Sequence, residues 1–243
     1  MFDKKKTNDF KLNIIYKIRY GSDVFGTTTA DSDNDIRGIY LPTLYNHLAF
    51  IEHKTLNIIT PEYDIVYHPF KKYIKLAMRC NPSALEWLYV PEKDIIDIKK
   101  EGRLLRDSRD LFLSKEAYFR FSGFATSEWR RAMGVSRRKM GEKRREQIEK
   151  YGYDLKAAMN TIRLLQQCRE LLLDRLIIMP RPNADYLKDV KLGRIRLAEV
   201  KYEYENATKE LNIAYQKSSL KEKSNINKIN DFMVDIITQG ANR

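Results

Sequence analysis

The sequence changes character near residue 95, and this change constrains the fold more than any other feature. Before it lie short apolar runs bounded by prolines and glycines, at residues 11–20, 36–41, 55–60 and 63–68. After it, strand signals are few, and long stretches carry apolar residues at helical spacing. The pattern predicts an α+β fold with two domains, a strand-containing domain over residues 1–95 and an all-helical domain over residues 96–243.

Composition indicates a folded, globular chain. Of the 243 residues, 43% are hydrophobic and 11% are aromatic, which is enough to build a substantial core. The two cysteines, Cys80 and Cys168, are far apart and indicate neither a disulfide framework nor a paired metal site. The start lacks an apolar signal segment and no apolar run reaches membrane-spanning length. We therefore expect a cytoplasmic protein, of a bacterium or of a phage in its host, with no membrane partner.

The formal net charge of +12 is unevenly distributed along the chain. Residues 130–145 read RRAMGVSRRKMGEKRR, with eight basic residues and one acidic residue. A cluster this dense attracts phosphate groups and predicts nucleic-acid binding. The predicted nucleic-acid-binding residues are Arg130, Arg131, Arg137, Arg138, Lys139, Lys143, Arg144 and Arg145. Charge alone leaves a solvated loop beside a helix as the alternative.

A second informative stretch is YGSDVFGTTTADSDNDIRGIYLP, residues 20–42. The pair Gly21-Ser22 predicts a small turn that presents backbone N–H groups and a hydroxyl to an anion. Eleven residues after the serine comes Asp33, followed by Asp35 and a run that reads as a strand. Each feature alone is equally typical of a surface turn rich in loop formers. Their order and spacing together are far more specific.

The two aspartates predict a cation site. Alternation along a strand places Asp33, Asp35 and Arg37 on one face. Carboxylates held this close repel each other unless something neutralises them, and Mg²⁺ is usually held by one or two carboxylates together with substrate phosphates. Arg37 is placed either to pair with an aspartate or to bind a phosphate.

This pattern resembles the DNA polymerase beta-type nucleotidyltransferase superfamily, and it is closest to the predicted nucleotidyltransferases of bacteria and their phages. The similarity continues through YDIVYHPFKKYIKLAMRCNPSALEWLYVP and KYGYDLKAAMNTIRLLQQCRELL, and it covers most of residues 14–200. The resemblance implies a mixed sheet with flanking helices, followed by a helical domain that binds nucleotide and substrate. It also implies a nucleoside triphosphate such as ATP as substrate, and Mg²⁺ or Mn²⁺ as cofactor.

The superfamily uses a third carboxylate on a later strand, and the match places it at Asp64. Glu62 shares that strand face by the period of two and stays open as the rival. We favour Asp64 because residues 63–67 read as continuous strand, whereas Glu62 follows a proline. The predicted metal ligands and catalytic residues are therefore Asp33, Asp35 and Asp64. Another acidic residue, Glu86, is expected to serve packing and capping.

In the helical part, a polar row is spaced for one helix face: Lys156, Asn160, Arg163 and Gln167. Solvent exposure is the ordinary explanation for such a row, whereas the resemblance implies that it faces the cleft and binds the triphosphate or the base. Tyr153 and Asp154 precede this helix, and Asp154 is also a good N-cap. The predicted nucleotide-binding residues are Gly21, Ser22, Arg37, Tyr153, Lys156, Asn160 and Arg163.

The resemblance implies transfer of a nucleoside monophosphate to an acceptor hydroxyl by a two-metal mechanism. The basic run favours RNA as the acceptor, with tRNA among the candidates. A protein side chain is the alternative acceptor, and a non-catalytic nucleic-acid-binding module with this fold is the alternative function. A cationic small molecule is disfavoured because the chain itself is strongly basic.

Overall fold

The structure is a computed structural model that describes residues 12–240 except residues 31, 51 and 136–140; of Lys143 only the backbone is described. It confirms the predicted α+β class. The first part contains the sheet and short helices, and long helices follow. No helix within the described ranges combines the length and the apolar character that crossing a bilayer requires.

Five strands form one mixed sheet in the order β3-β4-β2-β1-β5. The strands are β1 (Ile14–Tyr20), β2 (Asn34–Tyr40), β3 (Leu56–Ile59), β4 (Tyr63–Pro69) and β5 (Ile95–Ile98). Only β2 and β4 run parallel among the described pairs, and the other neighbours are antiparallel. Because parallel neighbours begin at the same edge of a sheet, the first residues of β2 and β4 lie side by side.

Eleven α-helices are present in the described residues. They are α1 (Ser22–Phe25), α2 (Leu44–Leu48), α3 (Phe70–Met78), α4 (Pro82–Trp87), α5 (Lys100–Asp107), α6 (Glu116–Ala132), α7 (Glu142–Tyr151), α8 (Leu155–Asp174), α9 (Ala184–Lys191), α10 (Leu197–Lys217) and α11 (Ile226–Gly240). Their starts follow local sequence signals. Asn81 caps α4 ahead of Pro82, and Asp154 caps α8 by accepting from the Ala157 amide at 3.0 Å.

The core joins the sheet to the helices that follow it. One apolar cluster contains Ile15 of β1, Leu85 of α4, Leu164 of α8 and Leu211 of α10, all nearly inaccessible to solvent. A second cluster lies around the first half of α8, where Met159 packs with residues of α9 and α10. Helix α8 is the helix against which α6, α9 and α10 pack. The sheet continues to Ile98, three residues past the predicted boundary at 95, and the division into two domains stays a prediction.

Candidate active site

The turn at Gly21 connects β1 to the short helix α1 and is built around the absence of a side chain. Gly21 has φ 77° and ψ −145°, a conformation that is essentially restricted to glycine. A Cβ at this position would collide with Oδ2 of Asp35. The sequence therefore needs glycine here for two reasons, the backbone conformation and the close approach of a carboxylate. The predicted turn into a helix is present.

Asp35 and Asp64 lie side by side at the edge where β2 and β4 begin. They are register partners across the parallel pair. Arg37 lies between them, and its Nη2 donates to Asp35 Oδ1 at 2.6 Å and to Asp64 Oδ2 at 3.0 Å. The prediction that Arg37 pairs with an aspartate is met by two aspartates at once. Glu62, the rival third carboxylate, lies before β4 and is exposed.

Asp33 lies just outside the strand that carries Asp35, so alternation along the strand does not place it. Strand β2 begins at Asn34, and Asp33 lies in the preceding loop, exposed to solvent. Side chains alternate between the two faces of a sheet only within a strand, and the rule does not apply to a residue that precedes the first paired residue of the strand. Asp33 nevertheless borders the same cavity as Asp35.

Burial raises the pKa of the Asp35 carboxyl above its usual range, and the neighbouring Asp64 raises it further. The Arg37 guanidinium opposes both effects, and Lys156 of α8 opposes them more weakly. The influence of Lys156 indicates that the start of α8 faces the carboxylates. The site therefore pairs a sheet edge that carries negative charge with a helix that carries positive charge.

A cavity of about 840 Å³ lies between these two sides. Its lining includes eight of the predicted site residues: Gly21, Ser22, Asp33, Asp35, Arg131, Arg144, Lys156 and Asn160. A volume of this order is typical of sites for small organic ligands and nucleotides. Residues that sequence analysis selected from three separate stretches thus converge on one space, and the predicted residues Arg37, Asp64, Tyr153 and Arg163 lie outside its lining.

The polar row of α8 divides in two. Lys156 and Asn160 border the cavity, as the resemblance implied. Arg163 and Gln167 lie inside the protein, where Arg163 is 7% exposed and its Nη1 donates to Gln167 Oε1 at 3.0 Å. Arg163 also forms a buried ion pair with Glu86. The helical spacing of these four residues in the sequence gave no sign of this division.

Tyr153 lies away from the cavity and packs in the second apolar cluster. It is fully buried, and its hydroxyl donates to the Ile195 carbonyl at 2.7 Å. Asp154 beside it borders the cavity, caps α8 and pairs with Arg144 at 2.5 Å. The predicted capping role of Asp154 is therefore confirmed.

Only part of the basic run faces the cavity. Arg131 at the end of α6 and Arg144 on α7 line it. Arg130 and Arg145 are exposed and lie outside the cavity lining, which is the solvated position that charge alone left open. Arg137, Arg138 and Lys139 lie outside the described residues, as does the side chain of Lys143.

Sequence analysis missed Lys191, the last residue of α9. Its Nζ borders the cavity and donates to the Thr27 carbonyl and to Ser32 Oγ, both at 3.0 Å. Burial lowers the pKa of this ammonium, and the positive charge of Lys156 lowers it further. Thr27 is 164 residues away in the chain, so no local motif could reveal the contact.

The carboxylate edge has the donor chemistry of a divalent cation site. Carboxylate oxygens are the ligands that Mg²⁺ and Mn²⁺ prefer, and Oδ2 of Asp35 occupies the space that the missing Cβ of Gly21 leaves open. Within the described residues, no three His, Cys, Asp or Glu side chains are gathered closely enough to hold a metal ion. The arrangement fits a cation that takes one or two carboxylates and completes its shell with phosphate oxygens.

The comparison with protein families identifies the chain. A family model described as "RNA repair pathway DNA polymerase beta family" matches residues 4–232. The chain belongs to this family. The match covers both the strand-containing part and nearly all of the helical part, and it confirms the resemblance to DNA polymerase beta-type nucleotidyltransferases.

Two individual proteins are also similar to this family member. The uncharacterized protein YcgL of Bacillus subtilis strain 168 is 31% identical over 88 residues, which are 35% of this chain and 34% of that protein. The matched region thus spans about a third of the relative's length. The crystal structure of a nucleotidyltransferase-like protein from Exiguobacterium sibiricum 255-15 is 11% identical, with a TM-score of 0.30, and the alignment covers 93% of this chain and 74% of that one.

Proposed function

We propose that the protein is a metal-dependent nucleotidyltransferase that transfers a nucleoside monophosphate from a nucleoside triphosphate to a hydroxyl group on RNA. One observation carries the proposal. A single cavity brings the Gly21-Ser22 turn and the carboxylate Asp35 opposite the ammonium groups of Lys156 and Lys191. Family membership supports the reaction type, since DNA polymerase beta-type proteins are nucleotidyltransferases as a class.

The triphosphate is proposed to bind between the turn and the helices. Ser22 contributes a hydroxyl, and Lys156, Lys191 and Arg131 contribute positive charge from the opposite side. Positive charge on one side of a cavity binds phosphate oxygens strongly, because the low-dielectric walls screen it less than bulk water does. The amide of Asn160 is placed to form hydrogen bonds with the base or the sugar.

The reaction is an in-line displacement at the α-phosphorus. The acceptor oxygen forms a bond to that phosphorus while the bond to the bridging oxygen breaks, and pyrophosphate leaves with the electron pair. Asp64, the more exposed of the paired carboxylates, is the proposed acceptor of the hydroxyl proton. A divalent ion would be held by one or two of the carboxylates Asp35, Asp64 and Asp33; when bound, it lowers the pKa of the attacking hydroxyl and neutralises phosphate charge.

RNA is the proposed acceptor because the positive charge extends beyond the cavity. Arg131 and Arg144 border it, and their exposed neighbours in the sequence, Arg130 and Arg145, add positive charge outside the cavity lining. A polyanion is attracted to such a surface over several ångströms, with a strength that falls as salt rises. The family description, which places these proteins in RNA repair, supports the same acceptor class.

The test incubates the purified protein with Mg²⁺ and each α-³²P-labelled nucleoside triphosphate in turn. Total cellular RNA is the acceptor in one arm and total protein extract in the other. We expect label on a discrete RNA band, and no label after chelation of the metal. The double variant Asp33→Asn/Asp35→Asn should abolish labelling and keep the fold, as judged by circular dichroism.

The matched control is Asp97→Asn, which removes an exposed aspartate from β5 at the far edge of the same sheet. It should transfer label at the wild-type rate. Label on protein alone would replace RNA by a protein acceptor. Binding of triphosphate without labelling of either acceptor would favour a binding module, and wild-type transfer by the double variant would reject the carboxylate assignment.

A further inference from the structure

Glu86 joins three elements of the fold from inside the protein. It lies in α4 and is 1% exposed. Its Oε2 accepts a hydrogen bond from the hydroxyl of Tyr20, the last residue of β1, and its Oε1 accepts one from Nη1 of Arg163 in α8. We refer to Tyr20, Glu86 and Arg163 as the Glu86 cluster. Sequence analysis expected packing and capping from Glu86, and the structure shows a buried charge with partners on both sides.

The Tyr20 end of the cluster adjoins the carboxylate edge. Tyr20 directly precedes Gly21, and it is the register partner of Asp35 across β1 and β2. The guanidinium of Arg37, which bridges the two aspartates, lies 5.6 Å from the centre of the Tyr20 ring. A shift of the Tyr20 ring would therefore move both the phosphate-binding turn and the group that holds the carboxylates.

The Arg163 end adjoins the helical side of the cavity. Arg163 lies one turn beyond Asn160 and two turns beyond Lys156 on α8, and both of those residues border the cavity. Its guanidinium is 4.0 Å from the centre of the Phe25 ring, and Phe25 itself borders the cavity. The helix that supplies Lys156 is thus anchored through Arg163 to the turn that supplies Ser22.

A buried ion pair is a poor source of net stability, because removing two charges from water costs about as much as their attraction returns. It does fix geometry, because either charge without its partner is strongly unfavourable. We propose that the Glu86 cluster is a positioning device that holds the Gly21-Ser22 turn and α8 at the separation at which both bind one nucleotide. This inference rests on the proposed function, and it assigns Arg163 to positioning instead of nucleotide contact.

The test compares two mild changes with a matched control. Tyr20→Phe removes one hydroxyl and keeps the ring, and Glu86→Gln removes the charge and keeps the shape. The control is Glu170→Gln, which breaks another buried ion pair on the same helix. Glu170 is 7% exposed and binds Arg181 with both oxygens at 2.7 Å, and it lies away from the cavity lining.

The readouts are the Kd of a non-hydrolysable ATP analogue, kcat/KM for transfer, and Tm. For both cluster variants we expect the Kd to rise about tenfold, because preorganisation of the two binding elements is lost. We expect kcat/KM to fall about 100-fold, because misalignment of reacting groups adds to weaker binding. Glu170→Gln should lower Tm and leave Kd and kcat/KM unchanged.

A double variant separates positioning from stability. Glu86→Leu/Arg163→Met removes both charges and should regain Tm relative to Glu86→Gln, as apolar replacements of buried ion pairs often do. Under the proposal its Kd stays raised. An unchanged Kd in Tyr20→Phe and Glu86→Gln, or recovery of Kd together with Tm in the double variant, would overturn the inference. A wild-type protein that binds the analogue but transfers nothing would instead reject the proposed function, and the Kd series would still decide the role of the cluster.

Discussion

The two sides of the cavity are built in opposite ways. The sheet side consists of Gly21, Ser22, Asp33 and Asp35, all within a single stretch of 15 residues, and Asp64 lies beside Asp35 on the neighbouring parallel strand, outside the cavity lining. The helical side takes one basic residue from each of four helices: Arg131, Arg144, Lys156 and Lys191. The sheet side carries the carboxylates Asp33 and Asp35, and on the helical side four basic residues outnumber the acidic Glu142 and Asp154.

This difference indicates a division of labour. Carboxylates that lie side by side and share one arginine are suited to hold a cation and to accept a proton. Ammonium and guanidinium groups spread over several helices are suited to neutralise a long, flexible polyanion. Changes on the sheet side should therefore affect the chemical step most, and changes on the helical side should affect nucleotide binding most. Three variants test this comparison.

The largest effect is expected from Gly21→Ala on the sheet side. The added methyl would collide with Oδ2 of Asp35, and the backbone conformation is unfavourable for alanine by about 1–3 kcal/mol. We expect kcat for nucleotide transfer to fall by about 100-fold or more, with a lower free energy of unfolding in urea.

The control is Gly123→Ala on α6, where a Cβ would meet no atom within 4 Å. That change should keep kcat and stabilise the protein by about 0.5–1 kcal/mol. A wild-type kcat in Gly21→Ala would contradict the assignment of the chemical step to the sheet side.

A smaller effect is expected from Lys191→Met on the helical side. The change removes a charge that contacts Thr27 and Ser32 and keeps most of the apolar length of the side chain. We expect KM for the nucleoside triphosphate to rise about tenfold, the equivalent of about 1.4 kcal/mol, with kcat within about threefold of wild type. Steady-state kinetics at saturating acceptor measure both kcat and KM.

The control is Lys188→Met, one turn earlier on the same helix and outside the cavity lining. A fall in kcat at unchanged KM would instead assign Lys191 to the chemical step.

The smallest effect is expected from His68→Phe, on β4 but at the end away from Asp64. His68 stacks on Trp87 with ring centres 5.1 Å apart, and burial, with help from Lys72 and Arg37, lowers the pKa of His68 to about 4. The unfolded chain, with its ordinary histidine pKa near 6.5, binds the proton more readily between these two values, so stability falls as pH drops from about 6.5 to 4. His68→Phe keeps an aromatic ring that can stack on Trp87, and it removes this proton uptake. We expect a shallower loss of Tm between pH 7 and 5, and unchanged kinetics at pH 7.5. Altered kinetics would extend the sheet side of the site along β4.

The comparison also explains which parts could be predicted. The α+β class, four of the five strands and the start of α8 follow from local signals, and the Gly21-Ser22 turn and the pair Asp35 and Asp64 follow from the motif and the resemblance. Strand β5 was not predicted, because its four residues lie at the predicted domain boundary, where the strand signals become few. Asp33 was expected on the strand itself, because the sequence does not specify where the hydrogen bonds of β2 begin, and the structure has it in the preceding loop, bordering the same cavity as Asp35. Arg163 was grouped with Lys156 because helical spacing predicts which residues share a face of the helix. It does not predict which turns of that face are buried by other elements, as the turn of Arg163 is.

The sequence alone therefore determined the elements and the residue types available for chemistry, because turn formation, capping and periodicity act over a few residues. Only the tertiary structure decided which charges meet. The contact of Lys191 with the Thr27 loop and the pairing of Glu86 with Arg163 join positions 164 and 77 residues apart. Such contacts arise from the way distant elements pack together, and packing depends on the whole core and leaves no local signal at the residues that it brings together.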